Sequence, residues 1–399
     1  MSEDKFFDLF KLFGEAEELE LEDVEIEAEE LVVEFLPTIL QTMTKLVPEA
    51  AAALKKLIEF KVEKFEPPLM KYPGSICEVQ IGATRAEGGT RHKVIKIGGD
   101  TCPPFYRFES PPKNRPVVAL DVFDQPIVPL AGPVKNAYKD VLDDPAEWAR
   151  KAIEVYGADL VSLHLVSTDP TLKDTPVKEA AKAVERVLQA VDVPIIVGGS
   201  GNPQKDLQIF QYVGEITAGE RLVFASATID MDLDAVAKSM VKTGHNVIAL
   251  AFMDINQAKE LSRKLISAGL PKDHLILDPT TGALGYGIEY SFSVMERIRL
   301  SGLMGDETLQ VPISCAATNA WAAREAWMKV EEWGPRELRG PLWEATTAIA
   351  GMMAGANIFM MMHPMAAKIV KGLAEILSKP KLDIKLGEIS YSNWIKMKV

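Results

Sequence analysis

The chain is poor in the residues from which metal and disulfide chemistry is built. Its 399 residues hold three cysteines, Cys77, Cys102 and Cys315. No two stand at metal-ligand spacing, which argues against a disulfide framework or an iron–sulfur cluster made by this chain alone. Five histidines, at 92, 164, 245, 274 and 363, are scattered and make no recognisable ligand set. No uncharged apolar run approaches 18 residues, so no membrane span is expected. The opening MSEDKFFDLF lacks the basic start of a secretory signal, and a reducing cytoplasm is the expected setting. A net charge of −13 argues against a nucleic-acid partner.

That charge is unevenly placed. Residues 1–36 carry fourteen acids and two lysines, a net of −12, leaving −1 for the other 363 residues. Within this arm Leu19 and Leu21, then Val24, Ile26 and Ala28, alternate with acids. Period two fits a strand with a bulge, and block charge fits a solubilising arm. Residues 37–75 read as two proline-opened helices (Pro37, Pro48) and a linker. Residues 76–110 hold a hairpin signal, Val79–Ala83 and Val94–Ile97 about the turn residues Glu87 to Thr90, then a proline-rich connection.

From 111 to 378 the pattern repeats. Apolar runs at 117–120, 159–165, 194–198, 222–226, 246–251, 275–278, 311–315 and 356–361 predict eight strands. Helical stretches are expected at 145–156, 176–190, 203–213, 232–242, 254–268, 290–301, 319–331, 342–353 and 364–377. Pro145, Pro176, Pro203 and Pro364, following Asp144, Thr175, Asn202 and His363, mark helix starts. Gly157, Gly244 and Gly269 mark ends. Eight strands alternating with helices have the rhythm of a (β/α)8 barrel. A doubly wound sheet is the competitor, weakened because no Gly-x-Gly-x-x-Gly follows the first strand. The tail 379–399 is basic, and its alternation (Leu382, Ile384, Leu386) suggests a short strand pairing with 19–34.

In such a barrel chemistry sits where strands end. Those ends supply Asp121 and Asp124, Ser167, the Gly198–Asn202 turn, Thr228, the Asp278–Gly287 segment, Asn319 and His363. The set is small and polar, with few titratable groups; acid–base work falls to Asp278, Asp121, Asp124 or His363. Gly199-Ser200-Gly201 is not a nucleophile elbow and reads as a turn into a helix. His164 falls on the inward face of its strand, where a satisfied interior histidine is the commoner outcome. Met352-Met353 and Met360-Met361-Met362 read as core. Glycines at a barrel mouth let a large flat ligand approach backbone, which suits a bulky group shared with another protein better than a small anion.

The segments DPTTGALGYGIEYSFSVMERIRLSGLMGD (278–306), DDPAEWARKAIEVYGADL (143–160), GPLWEATTAIAGMMAGANIFMMMHP (340–364) and IGATRAEGGTRHKVIKIGGD (81–100) closely resemble one family. It is the small subunit of the corrinoid iron–sulfur protein, whose archaeal form is the delta subunit of the acetyl-CoA decarbonylase/synthase (CO dehydrogenase/acetyl-CoA synthase) complex. The resemblance runs from about Val79 to His363. It implies a TIM barrel related to pterin-dependent methyltransferases, paired as a heterodimer with a larger gamma subunit. That partner is expected to carry the Fe4S4 cluster and anchor the cobalamin-type corrinoid, which shuttles a methyl group between a tetrahydropterin and acetyl-CoA synthase. Further expected partners are the acetyl-CoA synthase and CO dehydrogenase subunits and a methyltetrahydropterin-linked methyltransferase. This chain lacks the Asp-x-His-x-x-Gly corrinoid-ligand motif. Carried onto this sequence, the resemblance and the strand ends together give Gly199, Ser200, Thr228, Asp278, Thr280, Gly282, Tyr286, Gly287 and Asn319 as corrinoid-facing residues. No catalytic or metal-ligating residue is expected. The chain would then cap a partner-bound corrinoid as a half-site. The alternatives are a pterin-dependent methyltransferase acting alone and a subunit whose task is assembly.

Overall fold

A computed structural model describes residues 70–105, 112–126 and 130–379. The acidic arm, the helices expected within 37–61 and the pairing of 379–399 with 19–34 lie outside the described residues.

Eight parallel strands follow one another round the sheet: β3 (Val117–Phe123), β4 (Leu160–His164), β5 (Ile195–Gly198), β6 (Val223–Ala227), β7 (Asn246–Leu250), β8 (Leu275–Asp278), β9 (Ser314–Ala316) and β10 (Ile358–Met361). β10 pairs with both β3 and β9. The ring closes through a parallel bridge from Leu277 to Ile313, where Leu277 N donates to Pro312 O at 2.9 Å. This is the (β/α)8 barrel. Every predicted apolar run became a strand because each is long enough for one pass and is buried on both faces.

Period two divides each strand. Val118, Leu120, Val122, Val161, Leu163 and Val197 face the helices. Val117, Ala119, Leu160, Ile196, Val223, Ile248, Ile276 and Ile358 point inward. The antiparallel hairpin, β1 (Glu78–Ile81) with β2 (Ile95–Gly98), packs Val79, Ile81, Ile95 and Ile97 onto these inward residues. It plugs the end at which the strands begin. The expected hairpin is therefore present, although its connection carries a capped 3-10 turn, Arg85–Glu87, just ahead of the Glu87 to Thr90 turn residues. Continuing the same inward parity toward the strand ends gives Asp121, Ser162, His164, Gly198, Asp278 and Ser314. The interior thus changes from apolar plug to polar mouth within one or two residues.

The outer ring comprises α1 (Gly132–Tyr138), α2 (Pro145–Glu154), α3 (Val177–Ala190), α4 (Pro203–Ile216), α5 (Leu233–Thr243), α6 (Ile255–Ser267), α7 (Ile288–Leu303), the short α8 (Arg324–Trp327), α9 (Arg336–Ala354) and α10 (Pro364–Leu377). Asp144 caps α2 by accepting from Ala146 N at 2.9 Å, Asn202 caps α4 from Lys205 N at 3.0 Å, and His363 Nδ1 caps α10 from Met365 N at 3.1 Å. Each such cap contributes about 1 kcal/mol. At α3 the expectation fails in detail: Pro176 itself holds the cap position and no side chain caps it.

Two larger differences follow from contacts between residues distant in sequence. The helix expected over 319–331 is broken into a 3-10 run Ala317–Ala322, α8 and a 3-10 turn Glu331–Trp333. Arg339 takes the carbonyl of Glu325, which a continuous helix would have used internally, together with those of Met328 (2.6 Å) and Gly334 (2.7 Å). The helix expected to begin at 342 starts at Arg336 and runs through Pro341. Gly340 allows this path, since a Cβ there would stand 2.6 Å from the Trp321 ring. α1 had no counterpart in the sequence reading.

Candidate functional site

The polar mouth is built on β3 and β4 by an acid–histidine pair. Asp121, 1% exposed, places Oδ1 2.9 Å from His164 Nε2, and Ser162 Oγ lies 3.1 Å from the same nitrogen. Nε2 faces the carboxylate, and Nδ1 lies against Gly198, where a Cβ would come within 2.9 Å. Phe123 stacks on the imidazole at 5.2 Å. Asp121 Oδ2 is buried without a partner.

Beyond β5 the glycine-rich turn closes on itself. Asp206, from α4, accepts from Ser200 N (2.8 Å), Ser200 Oγ (3.1 Å) and Gly201 N (2.9 Å). Gly199 is required by this carboxylate, since a Cβ would stand 2.2 Å from it. Burial pushes the Asp206 carboxyl up against those hydrogen bonds. Beyond β6, Thr228 N donates to Met231 Sδ at 3.4 Å and Thr228 Oγ1 is buried without a partner.

The segment after β8 is also bonded to its own chain. Asp278 accepts from Thr280 N at 2.9 Å, and burial pushes its carboxyl up to about 7. Thr280 adopts φ +65° and donates from Oγ1 to Ala251 O at 2.9 Å. Ser291 Oγ accepts from Gly282 N (2.6 Å) and donates to Thr280 O (3.1 Å). Trp343 Nε1 donates to Leu284 O at 2.9 Å, and Asn319 Nδ2 to Thr281 O at 2.9 Å. Gly287, at φ +90°, opens α7. Five of the nine expected residues, Asp278, Thr280, Gly282, Tyr286 and Gly287, therefore share one loop, and Asn319 fastens it. Gly199 and Ser200 share a second turn, joined to β6 where Gly199 N donates to Ala225 O at 3.0 Å. Thr228 stands on a third. Of the nine, only Tyr286 projects as a large exposed side chain (52%).

The family described as CO dehydrogenase/acetyl-CoA synthase delta subunit matches residues 78–367. A relative from Methanocaldococcus jannaschii, the delta subunit of the acetyl-CoA decarbonylase/synthase complex, is 45% identical over 97% of this chain and 96% of its own. The subunit of the same name from Archaeoglobus fulgidus is 48% identical over 91% of this chain and 83% of its own. The chain belongs to this delta-subunit family. Among solved structures, a dihydropteroate synthase from Coxiella burnetii with pteroic acid is similar at 13% identity and TM-score 0.49, covering 76% of this chain and all of that one.

Delta-subunit features that sequence reasoning missed lie in two places. The first is Glu344 on α9, fully buried, accepting from Met362 N (2.6 Å) and His363 N (3.0 Å) at the end of β10. Burial pushes its carboxyl up to about 8, while burial of His363 pushes that imidazole down to about 4. An acid inside the apolar stretch 342–353 was the available signal. The second is a sector of the rim. Every exposed large aromatic among the described residues, Phe252, Tyr286, Tyr290, Trp327 and Trp333, follows β7, β8 or β9. These three strands are neighbours in the barrel. Single aromatics in separate loops carry no periodic signal, so only the fold collects them.

Among the described residues no group of three or more His, Cys, Asp or Glu is arranged to hold a metal ion, and no helix is long and apolar enough to cross a membrane. Cys315 is buried, its thiol pushed up to about 12 by desolvation. The rim shows bare backbone at Gly201 and Gly285, where nothing lies within 4 Å of a notional Cβ.

Proposed function

We propose that this chain is the barrel subunit of a corrinoid iron–sulfur methyl carrier, acting as a cap rather than as a complete enzyme. It pairs with a larger subunit that holds the cobalt corrinoid and an Fe4S4 cluster, within the acetyl-CoA decarbonylase/synthase complex. The observation that carries this reading is the aromatic sector over β7–β9. Large apolar side chains concentrated on one stretch of rim suit a buried contact, and aromatics are the residues that anchor such contacts.

A bound corrinoid supplies the cobalt centre that carries the methyl group. What this chain contributes is placement and exclusion. The loops after β5 and β8 have spent their amides and hydroxyls on their own side chains, so they offer the ligand a stiff, non-nucleophilic surface. Tyr286 and Phe252 cover apolar area and exclude water, which protects a low-valent metal from side reactions. Gly201 and Gly285 set how closely a ring can approach. Gly199, Ser200, Gly282 and Gly287 act one step back, by holding those loops in shape. A methyltransferase working alone fits less well: Asn319 and Asp278, its natural pterin ligands, are engaged by Thr281 O and Thr280 N.

A Phe252→Glu/Tyr286→Glu double variant tests the placement, because both side chains are exposed, whereas a side chain at Gly285 would be strained at φ +71° and one at Gly282 would strike Gly287 O at 2.7 Å. In the heterodimer with the corrinoid subunit, corrinoid occupancy is expected to fall at least tenfold while the isolated chain stays folded. Unchanged occupancy refutes the placement. Methyl transfer from a methylpterin to free cobalamin by this chain alone would replace the reading with the methyltransferase.

A further inference from the structure

One face of α9 is given over to holding the rim. Arg336, Arg339, Gly340, Trp343, Glu344 and Thr347 recur at three- and four-residue spacing, which places them together on the helix surface. Over about 17 Å of helix axis this face takes hold of the chain after β8, β9 and β10. Thr347 Oγ1 accepts from Leu284 N at 3.2 Å, and Trp343 Nε1 donates to Leu284 O at 2.9 Å. Both backbone groups of one residue in the β8 loop are thus held by side chains one turn apart. Thr347 Oγ1 donates in turn to Trp343 O at 2.8 Å, which fixes the orientation of the hydroxyl. Arg339 holds the segment after β9 by Glu325 O, Met328 O (2.6 Å) and Gly334 O (2.7 Å), and its guanidinium stands 5.5 Å from the centre of the Trp333 ring. Arg336 Nη1 adds Trp327 O at 3.3 Å. Gly340 lets the helix come this close, since a Cβ would stand 2.5 Å from Ala326 O. Glu344 holds the end of β10.

These fastenings sit beside the exposed aromatics. Leu284 precedes Tyr286 by two residues, and Trp327 and Trp333 lie within the segment that Arg336 and Arg339 hold. That segment has little stiffness of its own: between Ala317 and Pro335 the regular structure is two 3-10 runs and the four-residue α8. We propose that Arg336, Arg339, Trp343 and Thr347 are positioning residues for partner docking. By tying two loops to one rigid helix they fix Tyr286, Trp327 and Trp333 relative to one another, so that the corrinoid-bearing partner meets a preformed surface. They act through the loops they hold. Loops ordered only on contact would subtract their ordering entropy from the affinity, whereas here that cost is met when the barrel folds. The inference rests on the reading of the aromatic sector as the partner's contact.

The test pairs Thr347→Val, which keeps the side-chain shape and removes the hydroxyl, with Thr347→Ser, which keeps the hydroxyl. In the free full-length Thr347→Val chain, hydrogen–deuterium exchange over 281–287 is expected to rise about fivefold with α4 and α5 unchanged. The dissociation constant for the corrinoid subunit, by calorimetry, should rise about fivefold as well. Thr347→Ser should keep the wild-type value of both, which a general loss of packing at this position would not give. Arg339→Lys, which keeps the charge and loses the fork of donors, should act in the same way over 324–334; should it fail to fold, the Thr347 pair decides. Faster exchange in Thr347→Val with an unchanged dissociation constant overturns the inference alone, if Phe252→Glu/Tyr286→Glu still weakens binding. If that double variant also binds normally, the sector is not the contact, and both readings fall. Unchanged exchange in Thr347→Val overturns the inference too.

Discussion

Replacing Glu344 by glutamine separates a buried neutral acid from a buried carboxylate. The side chain is fully buried, and its two oxygens accept from the amides of Met362 and His363. In the unfolded chain it ionises near 4.5; in the folded protein, near 8. Between those values the folded state holds a proton that the unfolded state has lost. Its contribution is complete below about pH 4.5 and is lost as pH rises through 8. From about pH 5 to about pH 9 the loss amounts to about 4 kcal/mol. Glutamine carries no such dependence. It has one oxygen where the acid has two, so one amide meets an NH2 group, at a cost of about 1–3 kcal/mol. The variant should therefore be less stable than the wild type at pH 5 and more stable at pH 9. Urea unfolding followed by circular dichroism at five pH values would show the curves crossing between about pH 6 and about pH 7.5. Parallel curves would mean that Glu344 is charged in the fold, and that the account of how the end of β10 is held is wrong.

Two further substitutions probe the scaffold. Gly199→Ala should destabilise by about 2 kcal/mol or more, because its Cβ would sit 2.2 Å from the Asp206 carboxylate; thermal melts check this, and a neutral result would mean the turn is looser than its hydrogen bonds imply. Asp159→Asn should cost about 3 kcal/mol, since this buried carboxylate holds Arg115 at 2.5 Å, Lys371 at 2.9 Å and Val118 N at 3.0 Å. Despite burial, those partners hold its carboxyl below the usual range. Its stabilising effect is therefore lost as pH falls through that depressed value, opposite in sign to Glu344, and the wild-type and variant stabilities should converge in acid.

The strands and most helices were legible because each signal is local. An apolar run between turn residues reports a doubly buried strand, and Asp144-Pro145 or Asn202-Pro203 reports a helix start wherever the chain goes next. The failures share one cause. Residues 319–331 carry helical composition, yet Arg339, which withdraws the carbonyl of Glu325, lies beyond that stretch in sequence. Pro341 reads as a breaker until Trp321 is seen packed against Gly340. Long-range competition for backbone groups leaves no periodicity to read.

The mouth divides in the same way. That glycines and hydroxyls collect at the ends of β5, β6 and β8 follows from the strand assignment. That Gly199 serves Asp206, and that Asn319 fastens Thr281, does not, because each partner stands on another element. The distinction alters what the nine residues mean. Most of them shape loops whose own hydrogen bonds are complete, so replacing them would move the surface rather than remove a contact. The groups left to meet a ligand are bare backbone at Gly201 and Gly285 and the aromatics Phe252, Tyr286, Tyr290 and Trp327. The loops after β5 and β8, with their hydrogen bonds satisfied, gain little from a polar ligand, whereas Asp121 Oδ2 and Thr228 Oγ1 are still buried without a partner and the aromatic sector gains from being covered. Under the proposed capping role, that aromatic sector is where a large, flat group presented by a partner protein would gain most.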